Sequence, residues 1–591
     1  MRTARVRPVL VVAVCLAFGL LACKSKKDDK QTDKPTDKQT EPTGKQTGKS
    51  NGQQPASHAN AAADAAAFVK AQVEAYKPMS IAANKAWFDA SVTGTDEAFA
   101  ASKKTDDAIN EFLADSKRFA KVKALRDQPG IDDPLLKRQI EVMYLAMLDK
   151  QVEPTLLAQI TGVEKEVEQA FNTYRGTVDG KQVTHNQVED ILEQSTDSAK
   201  LRAAWEAQKG VGPVVAPKLL QLVGLRNQVA KKLGFRDFYA MRLAKSELNE
   251  EKLLALFDEL DRLTREPFLK AKAVVDERLA KRLKVKVEEL MPWHYQNPFF
   301  QEPPAVFDTG LDAIFKQQDT VALSQKYFDD MGLASGDIVK RSDLFEKEGK
   351  TPHAFAADID REGDIRVLCN VVPGMRWQIT MVHELGHAVY DKFIDRKLPW
   401  LLREPTHPLT TEGIAMMFDY HVANPKWSEA MGVMTAEQSA AAVAESRAYQ
   451  AFAELQFSRW TQVMLRFERA MYADPTQDLD KLWWDLVEKY QALKRPERKA
   501  PDYASKIHLV VAPVYYQNYM LGKLFAAQVH EAIAKHVGTP AAETVYVGDP
   551  KAGRFLEDKV FGPGARYDWN GLTKYATGSE LAPAAFARRF Q

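Results

Sequence analysis

Long stretches of the chain repeat apolar residues every three to four positions, the spacing that places them on one face of an α-helix. Two shorter stretches, 353–359 and 365–372, have strand-like composition and flank residues 361–363, which predicts a hairpin. The sequence therefore predicts a mostly α fold with a minimal antiparallel sheet. The helical pattern covers residues 66–90, 106–125, 135–150, 164–173, 199–233, 250–283, 311–331, 376–393, 410–423, 436–473, 479–493 and 512–535.

The first residues of the chain have a different pattern. Three arginines precede an uncharged apolar run at 9–22, which is the organisation of a secretion signal. The run ends in Leu-Leu-Ala before Cys23, and this ending resembles the lipobox of bacterial lipoproteins. We therefore predict a lipoprotein signal peptide at 1–22 and a lipid on Cys23. The alternative is an ordinary cleavable signal followed by a chance cysteine.

Residues 24–67 contain no Val, Ile, Leu, Met, Phe, Trp or Tyr, so they cannot form a core. We interpret 23–67 as a lipid-anchored disordered tether and 68–591 as one helical domain. The prediction is an extracytoplasmic protein that its lipid holds at a bacterial membrane. Lys24 follows the cysteine, which by analogy favours the outer membrane.

Composition excludes some classes of partner. The 591 residues include 81 Lys and Arg against 80 Asp and Glu, so the chain has no overall field to attract nucleic acid. Three cysteines are too few for a disulfide framework, and 45% hydrophobic residues are enough for a large core. We therefore expect no nucleic-acid partner.

Directly after the predicted hairpin, residues 383–387 read HELGH. Residues four apart on a helix lie within about 40° of each other, so His383 and His387 can direct two imidazoles at one ion. Glu384 lies beside them and could take a proton from a zinc-bound water and deliver it to the leaving amine. His530 and His536 are six apart and therefore diverge by about 120°, so we interpret them as ordinary helix residues.

A catalytic zinc requires a third protein ligand and an open position. Glu412 stands in the first turn of the next predicted helix and completes a His₂Glu set. Its structural alternative is an acidic residue that interacts with the helix dipole. His407 competes as a ligand but precedes Pro408 in a loop, and we rank it below Glu412.

Residues 506–519 combine a cation, an imidazole and helically spaced tyrosines. A tyrosine hydroxyl directed at the oxygen of a tetrahedral intermediate would stabilise its negative charge. By composition alone, however, the segment is more typical of core aromatics with a surface lysine.

At these residues the chain resembles the peptidyl-dipeptidase A family, the angiotensin-converting-enzyme-like zinc peptidases. The resemblance extends over about 68–590 and is strongest from His353 onward. The zinc motif alone is moderately specific, whereas the ordered series of matches is strongly so. The matching stretches are 353–356, 364–366, 380–390, 402–404 before Glu412, 483–484, 489–491, 506–519 and 529–532.

The resemblance implies a two-lobed helical ellipsoid with a deep central channel that holds one zinc ion. It implies release of dipeptides from oligopeptides with a free C-terminus. By similarity, His383, His387 and Glu412 hold the zinc, and Glu384 is the general base.

The resemblance also implies how the substrate is held. Tyr519 would stabilise the oxyanion, and His508 would bond a substrate carbonyl. From His508 to the tyrosine pair the chain is one residue longer than the family pattern, so Tyr515 is a rival for Tyr516. Gln296, taken with a one-place shift, would join Lys506 at the terminal carboxylate. The residues implied in substrate binding are His353, Ala354, Ala356, Lys506, Tyr516 and Gln296.

Several positions depart from the family. Asn518 and Val487 stand where chloride-binding arginines are expected, so we predict weak or absent chloride activation. Met416 stands where an aspartate would orient a zinc histidine, and Asp419 on the same helix face could replace it.

The disulfide of the family has no counterpart here. Cys369 matches one of its halves, but Pro352 stands at the partner position, so we predict an unpaired thiol.

The leading hypothesis is a membrane-tethered zinc peptidyl-dipeptidase. A second hypothesis is a metallocarboxypeptidase or oligopeptidase of a neighbouring helical zinc-peptidase group. A third is a peptide-binding lipoprotein without turnover, which Met416 favours and an intact Glu384 opposes.

Overall fold

The computed structural model describes residues 55–591, with side chains from residue 61 onward. The predicted signal peptide at 1–22, the lipidated Cys23 and residues 24–54 of the predicted tether lie outside the described residues. Within the described part, no helix is both long enough and apolar enough to cross a bilayer.

Helices dominate this part of the chain, which confirms the prediction of a mostly α fold. The α-helices are α1 (Pro55–Thr93), α2 (Asp96–Ala114), α3 (Ser116–Arg126), α4 (Pro134–Leu148), α5 (Pro154–Thr173), α6 (His185–Gln194), α7 (Ser198–Lys209), α8 (Val211–Lys232), α9 (Phe238–Lys245), α10 (Glu250–Leu283), α11 (Leu311–Phe315), α12 (Thr320–Asp330), α13 (Gly336–Arg341), α14 (Met375–Lys392), α15 (Pro408–Val422), α16 (Pro425–Ala430), α17 (Ala436–Ala473), α18 (Leu479–Gln491), α19 (His508–Val511), α20 (Tyr516–Val537), α21 (Pro550–Leu556), α22 (Trp569–Thr577) and α23 (Ala584–Arg588). The strands are β1 (Gly176–Val178), β2 (Lys181–Val183), β3 (Phe355–Asp358) and β4 (Ile365–Leu368).

Helix α1 begins at Pro55, eleven positions before the predicted start at residue 66. Residues 55–67, assigned from composition to the tether, are therefore helical. Residues 61–67 are six alanines and one aspartate, and alanine has the highest intrinsic helix propensity. This stretch has no large apolar side chains, as its composition indicates, but the lack of such side chains does not prevent it from forming a helix.

Some predicted helices are divided in the structure. The segment 106–125 is interrupted at Asp115, whose side chain accepts the Arg118 amide as the N-cap of α3. The segment 199–233 is interrupted at Gly210, between α7 and α8. Capping residues thus end helices in places where the apolar period continues.

One of the two hairpins was not predicted from the sequence. Strands β1 and β2 pair antiparallel around Asp179 and Gly180, which have φ values of 51° and 74°. Two positive φ values in a two-residue loop define a type I′ turn, and Asp-Gly is a strong sequence signal for it. The strands are only three residues long, too short for an alternating pattern to be visible.

The hairpin that the sequence did predict is confirmed. Strands β3 and β4 pair antiparallel, with Ala356 opposite Val367. The chain continues from β4 into α14, and both β3 and β4 pack against this helix. The hairpin therefore borders the HELGH segment, as its position in the sequence predicts.

Three central helices pack unusually closely. A Cβ on Gly413 of α15 would lie 2.7 Å from the Gly522 oxygen of α20, and a Cβ on Gly386 of α14 would lie 3.1 Å from the Ala415 Cα of α15. The missing side chains let the three backbones approach one another. These helices carry the predicted metal ligands and tyrosines.

One large apolar core surrounds these helices. A separate cluster beneath α1, α3 and α4 includes Val69, Ile140 and Trp400. Cys369 is buried and unpaired in the part of the chain that the structure describes, as predicted. The two-lobed outline and the central channel stay predictions.

Candidate metal centre and substrate site

Helix α14 is buried over most of its length, so its polar residues face protein. Every residue from Thr380 to Tyr390 is buried, and the apolar positions contribute to the large core. His383, Glu384 and His387 are 4%, 0% and 5% exposed. Burial of three ionisable groups is costly unless they are paired or bind an ion, which marks this segment as a site.

The ligand atoms of His383, His387 and Glu412 lie within 4.8 Å of one another. The two Nε2 atoms are 3.2 Å apart, and Glu412 Oε2 lies 3.6 Å from that of His383 and 4.0 Å from that of His387. Zinc–nitrogen bonds of about 2.1 Å in a tetrahedron place two ligand nitrogens about 3.4 Å apart. The three donors thus fit a single metal ion.

Electrostatics support this fit. Burial lowers the pKa of His383, but its hydrogen bond to Asp419 and the nearby carboxylates outweigh burial and raise the pKa to about 9. Burial and the His383 charge hold the pKa of His387 well below its usual range. Burial raises the pKa of Glu412 to about 7 despite the His383 charge. A cation at the centre would favour the deprotonated form of all three groups.

The histidines are oriented by residues of α15. Asp419 Oδ2 lies 2.7 Å from His383 Nδ1, and Thr411 Oγ1 lies 2.6 Å from His387 Nδ1. These contacts direct each Nε2 toward the centre of the site. Met416 instead packs toward α20, where its methyl group lies 2.9 Å from the position of a Cβ on Gly522. Asp419 therefore occupies the orienting role that the sequence analysis considered for it.

His407, the rival third ligand, has another role. It is the N-cap of α15, and its Nδ1 accepts the Leu409 amide at 3.0 Å. Burial lowers the pKa of His407 to about 3, so the ring is neutral and able to accept this bond. Glu412 is thus the third donor of the group.

Glu384 has the environment of a general base. Among the described residues, neither of its carboxylate oxygens accepts a well-formed hydrogen bond, and the Ala356 amide of β3 approaches them without forming one. Burial raises its pKa to about 7, while the His383 charge and the Ala356 amide lower it. A carboxylate with a pKa near neutrality, next to a metal ligand and without a strong hydrogen bond, is suited to accept and return a proton.

Lys506 is buried in an aromatic pocket and is not the surface lysine that composition alone suggests. It is 6% exposed, and its Nζ lies about 5 Å from the ring centres of Phe299, Trp460 and Tyr516. Burial lowers the pKa of Lys506 to about 7, although the charge of Glu302 raises it. A buried ammonium that donates to a neutral amide oxygen is a candidate for binding a substrate carboxylate.

The glutamine beside Lys506 is Gln301, and the assignment of Gln296 is wrong. Lys506 Nζ donates to Gln301 Oε1 at 2.6 Å, and the Tyr516 hydroxyl donates to the same atom at 3.3 Å. Gln296 instead donates to the Glu193 carbonyl and accepts the Ala305 amide. Its φ of 69° turns the chain at this point, so counting positions along the segment could not locate the glutamine.

Tyr516, rather than its rival Tyr515, reaches Lys506 through Gln301. Tyr516 and Tyr519 are 3% and 1% exposed, and their rings lie 5.5 Å apart on the first turn of α20. The His508 ring lies 5.2 Å from that of Tyr516. Burial and the Lys506 charge lower the pKa of His508 to about 3, so its imidazole is neutral.

The remaining predicted residues lie at the hairpin. His353 is exposed just before β3, Ala354 is buried, and Ala356 pairs with Val367 inside the hairpin. Their roles in holding a substrate backbone stay predictions. The predicted weak response to chloride at Asn518 and Val487 also stays a prediction.

The sequence analysis missed Gln301 and Thr411. Thr411 lies in the polar start of α15, where a threonine is common for other reasons. Gln301 follows a short 3₁₀ segment and an irregular turn. Gln296 and Gln301 are only five positions apart, and this could have indicated that either glutamine was a candidate partner of Lys506.

Comparison with known proteins gives a consistent result. The sequence profile of the family described as angiotensin-converting enzyme, peptidase M2, matches residues 59–290 and 297–590. The interruption at 291–296 coincides with the segment in which the glutamine was misassigned.

A relative known as angiotensin-converting enzyme from Theromyzon tessulatum is 24% identical over 241 residues. That match covers 39% of this chain and 38% of the relative. The family profile, by contrast, spans nearly all the described residues. The chain belongs to the angiotensin-converting enzyme family of metallopeptidases.

Proposed function

We propose that this protein is a zinc-dependent peptidyl-dipeptidase that releases C-terminal dipeptides from oligopeptides. The main support is the Glu384 carboxylate, which is buried without a well-formed hydrogen bond from the described residues and lies beside the group formed by His383, His387 and Glu412. This arrangement combines a metal-binding set with a base of suitable pKa.

Zinc, when bound by the three ligands, supplies a Lewis acid that polarises the scissile carbonyl. A Glu384 oxygen takes the proton of the attacking water and transfers it to the nitrogen of the leaving amine. The phenol of Tyr519 donates to the developing oxyanion, and neutral His508 bonds a substrate carbonyl. Both residues lie in the segment that also supplies Lys506.

Exopeptidase action depends on Lys506. Its ammonium and the Tyr516 hydroxyl share Gln301 Oε1, so both donors converge on one small volume. A peptide carboxylate there would pair with a buried cation, which a blocked C-terminus could not do. We therefore infer that substrates need a free C-terminus.

Helix α20 links the two halves of this site. It begins at Tyr516, whose hydroxyl shares Gln301 with Lys506, and its Gly522 packs against Gly413, the residue after Glu412 on α15. We infer removal of two residues rather than one from membership of the angiotensin-converting enzyme family.

Substitution Glu384→Gln tests the activity. We expect loss of peptide turnover by about 10³-fold or more, because the amide cannot accept the proton. Zinc content, measured by atomic absorption, should stay at one per chain because the three ligands are unchanged. Equal turnover by the variant and the wild type would contradict the proposal.

We also propose that the enzyme is extracytoplasmic and that a lipid on Cys23 anchors it to a bacterial membrane. The support is the sequence at 1–23 alone. Metabolic labelling with a radioactive fatty acid should mark the wild type and not Cys23→Ser. Equal labelling of both would contradict lipidation at this residue.

A further inference from the structure

The loop between α19 and α20 contains a strained residue. Val514 has a φ of 56°, in the left-handed region that a β-branched side chain rarely adopts. One residue, Tyr515, separates it from the start of α20 at Tyr516, and it is 2% exposed. This is the stretch in which the chain is one residue longer than the family pattern. Strain of this kind persists only where the surroundings hold it.

Two side chains hold the backbone of Val514. Its amide donates to Glu468 Oε1 at 2.7 Å, and its carbonyl accepts Gln517 Nε2 at 2.7 Å. Glu468 belongs to α17 and is 1% exposed. Burial raises the pKa of Glu468 to about 8, against the lowering effect of the Val514 bond and of Arg226. The hydrogen bond from the Val514 amide thus partly offsets the cost of burying the Glu468 carboxylate.

The other end of the loop is held indirectly, because Arg226 of α8 binds α19, the helix from which the loop continues. Its guanidinium donates to the Leu509 carbonyl at 3.3 Å and to the Val510 carbonyl at 2.6 Å. It also donates to the Tyr472 hydroxyl at 3.2 Å, and Tyr472 lies one helical turn after Glu468 on α17. Arg226 is 3% exposed, so the whole contact is internal.

We propose that Arg226 and Glu468 are positioning residues that fix the loop at both ends and so set the placement of the Tyr516 and Tyr519 side chains relative to His508. Neither residue touches the predicted substrate position. Glu468 makes the left-handed conformation of Val514 favourable, and this conformation starts α20 at Tyr516. The inference rests on the proposed function, because it assigns the loop a purpose in catalysis.

The decisive experiment varies the acceptor and the strain separately. Glu468→Leu removes the acceptor, and we expect kcat/KM to fall about 10- to 100-fold, since misplacement of catalytic groups by about 1 Å costs this much. Glu468→Gln keeps an oxygen for the Val514 amide and should stay within about threefold of the wild type. Equal kcat/KM for the Leu and Gln variants would overturn the proposal.

Glycine adopts the left-handed region without strain, so Val514→Gly should reduce the need for Glu468. In the Glu468→Leu background, we expect Val514→Gly to restore at least half of the loss on a logarithmic scale. It should not rescue Arg226→Gln, which acts on the carbonyls at 509 and 510. A purely structural role of Glu468 predicts no rescue, and that result would overturn the proposal.

Asp261→Asn is the matched control. Asp261 lies on α10, is 7% exposed and pairs with Arg459 of α17, so it is a buried acid that contacts the helix to which Glu468 belongs, at a position away from the loop. We expect Asp261→Asn to lower the thermal midpoint without changing kcat/KM. A similar fall in kcat/KM for this control would attribute the Glu468 effect to general destabilisation and overturn the proposal.

A crystal structure of Glu468→Leu gives a readout that does not depend on activity. We expect Val514 to leave the left-handed region and the Tyr516 hydroxyl to move away from Gln301. An unchanged loop would overturn the positioning role, and the structure would also decide the matter if the variant were too unstable for kinetics at assay temperature. Absence of turnover by the wild type itself would contradict the proposed function, while the loop geometry would still be tested by this structure.

Discussion

The residues that orient the metal ligands lie on one helix and have different charges. Asp419 follows Glu412 by seven positions, two helical turns, so both face α14. Thr411 contacts the second histidine with a neutral hydroxyl. A carboxylate partner makes an imidazole a stronger ligand than a hydroxyl does, so His383 and His387 are not equivalent.

Asp419→Asn tests this difference. We expect zinc affinity to fall by about 10- to 100-fold, because the amide cannot stabilise the His383 ring as a carboxylate does. Competition with a fluorescent chelator measures the affinity. The control is Thr411→Val, which removes a neutral partner from His387 and should have a smaller effect. A larger loss for Thr411→Val would show that Asp419 is not the main orienting group.

Lys506 predicts a pH dependence of substrate binding. Burial holds the pKa of Lys506 at about 7, so the ammonium is present below this pH and is lost above it. At pH values above about 7, the KM for a peptide with a free C-terminus should therefore increase, and the increase should approach about tenfold per pH unit.

Two variants isolate the lysine. Lys506→Arg should have a KM that varies little between pH 6 and 9, because guanidinium does not lose its proton in this range. Lys506→Met should have a high KM throughout. A wild-type KM that stays constant to pH 9 would show that Lys506 does not bind the carboxylate in its charged form.

At the scale of residues, spacing was informative only where the backbone was regular. His383 and His387 could be paired from the sequence because a helix converts four positions into a known angle. Gln301 could not be found, because the chain between Pro292 and this residue forms a 3₁₀ turn and then reverses at Gln296. The partner of Lys506 became visible only through tertiary contact.

At the scale of elements, close approach of α14, α15 and α20 depends on absent side chains. Gly413 and Gly522 face each other between α15 and α20, and Gly386 faces Ala415 between α14 and α15. Small residues at a crossing shorten the distance between helix axes. The metal ligands and the tyrosines are brought together by this packing.

Gly413→Ala should separate α15 from α20. The new methyl group would lie 2.7 Å from the Gly522 oxygen, so the backbone must move. We expect a loss of about 1–3 kcal/mol in the free energy of unfolding, measured in urea with zinc present, and weaker zinc binding. Unchanged stability would contradict the packing argument.

Gly224→Ala in α8 is the matched control for this substitution. Nothing lies within 4 Å of the Cβ that it would add. Alanine should therefore stabilise the helix by about 0.5–1 kcal/mol relative to glycine. If the free energy of unfolding falls for Gly413→Ala and rises for Gly224→Ala, the contact of the new methyl group, rather than the residue type, decides the change in stability.

Helix prediction from the apolar period succeeded best for long elements. The limits of α10 and α17 agree with the predicted 250–283 and 436–473, because both helices have clear N-caps, Asn249 and Thr435. It failed where a break is local, as at Gly210, or where a strand is too short to show alternation, as in β1. The apolar period therefore predicts which face of an element is buried, but it does not predict where the element begins or ends.

At the scale of the whole molecule, recognition is internal. The balanced charge of the chain provides no steering field, while the groups that would select a substrate are nearly inaccessible to solvent: Lys506, Tyr516 and the metal ligands. Specificity then depends on the few polar groups that a peptide meets inside the protein. In the proposed function, a bound peptide would lie between the metal site on α14 and α15 and the carboxylate site at Lys506.

Release of dipeptides is tested by the mass of the products from a zinc-loaded digest of one hexapeptide, supplied with a free and with an amidated C-terminus. We expect a dipeptide and a tetrapeptide from the free peptide, followed by a second dipeptide, and little or no cleavage of the amidated one. Release of single residues, or equal cleavage of both peptides, would contradict the proposed function.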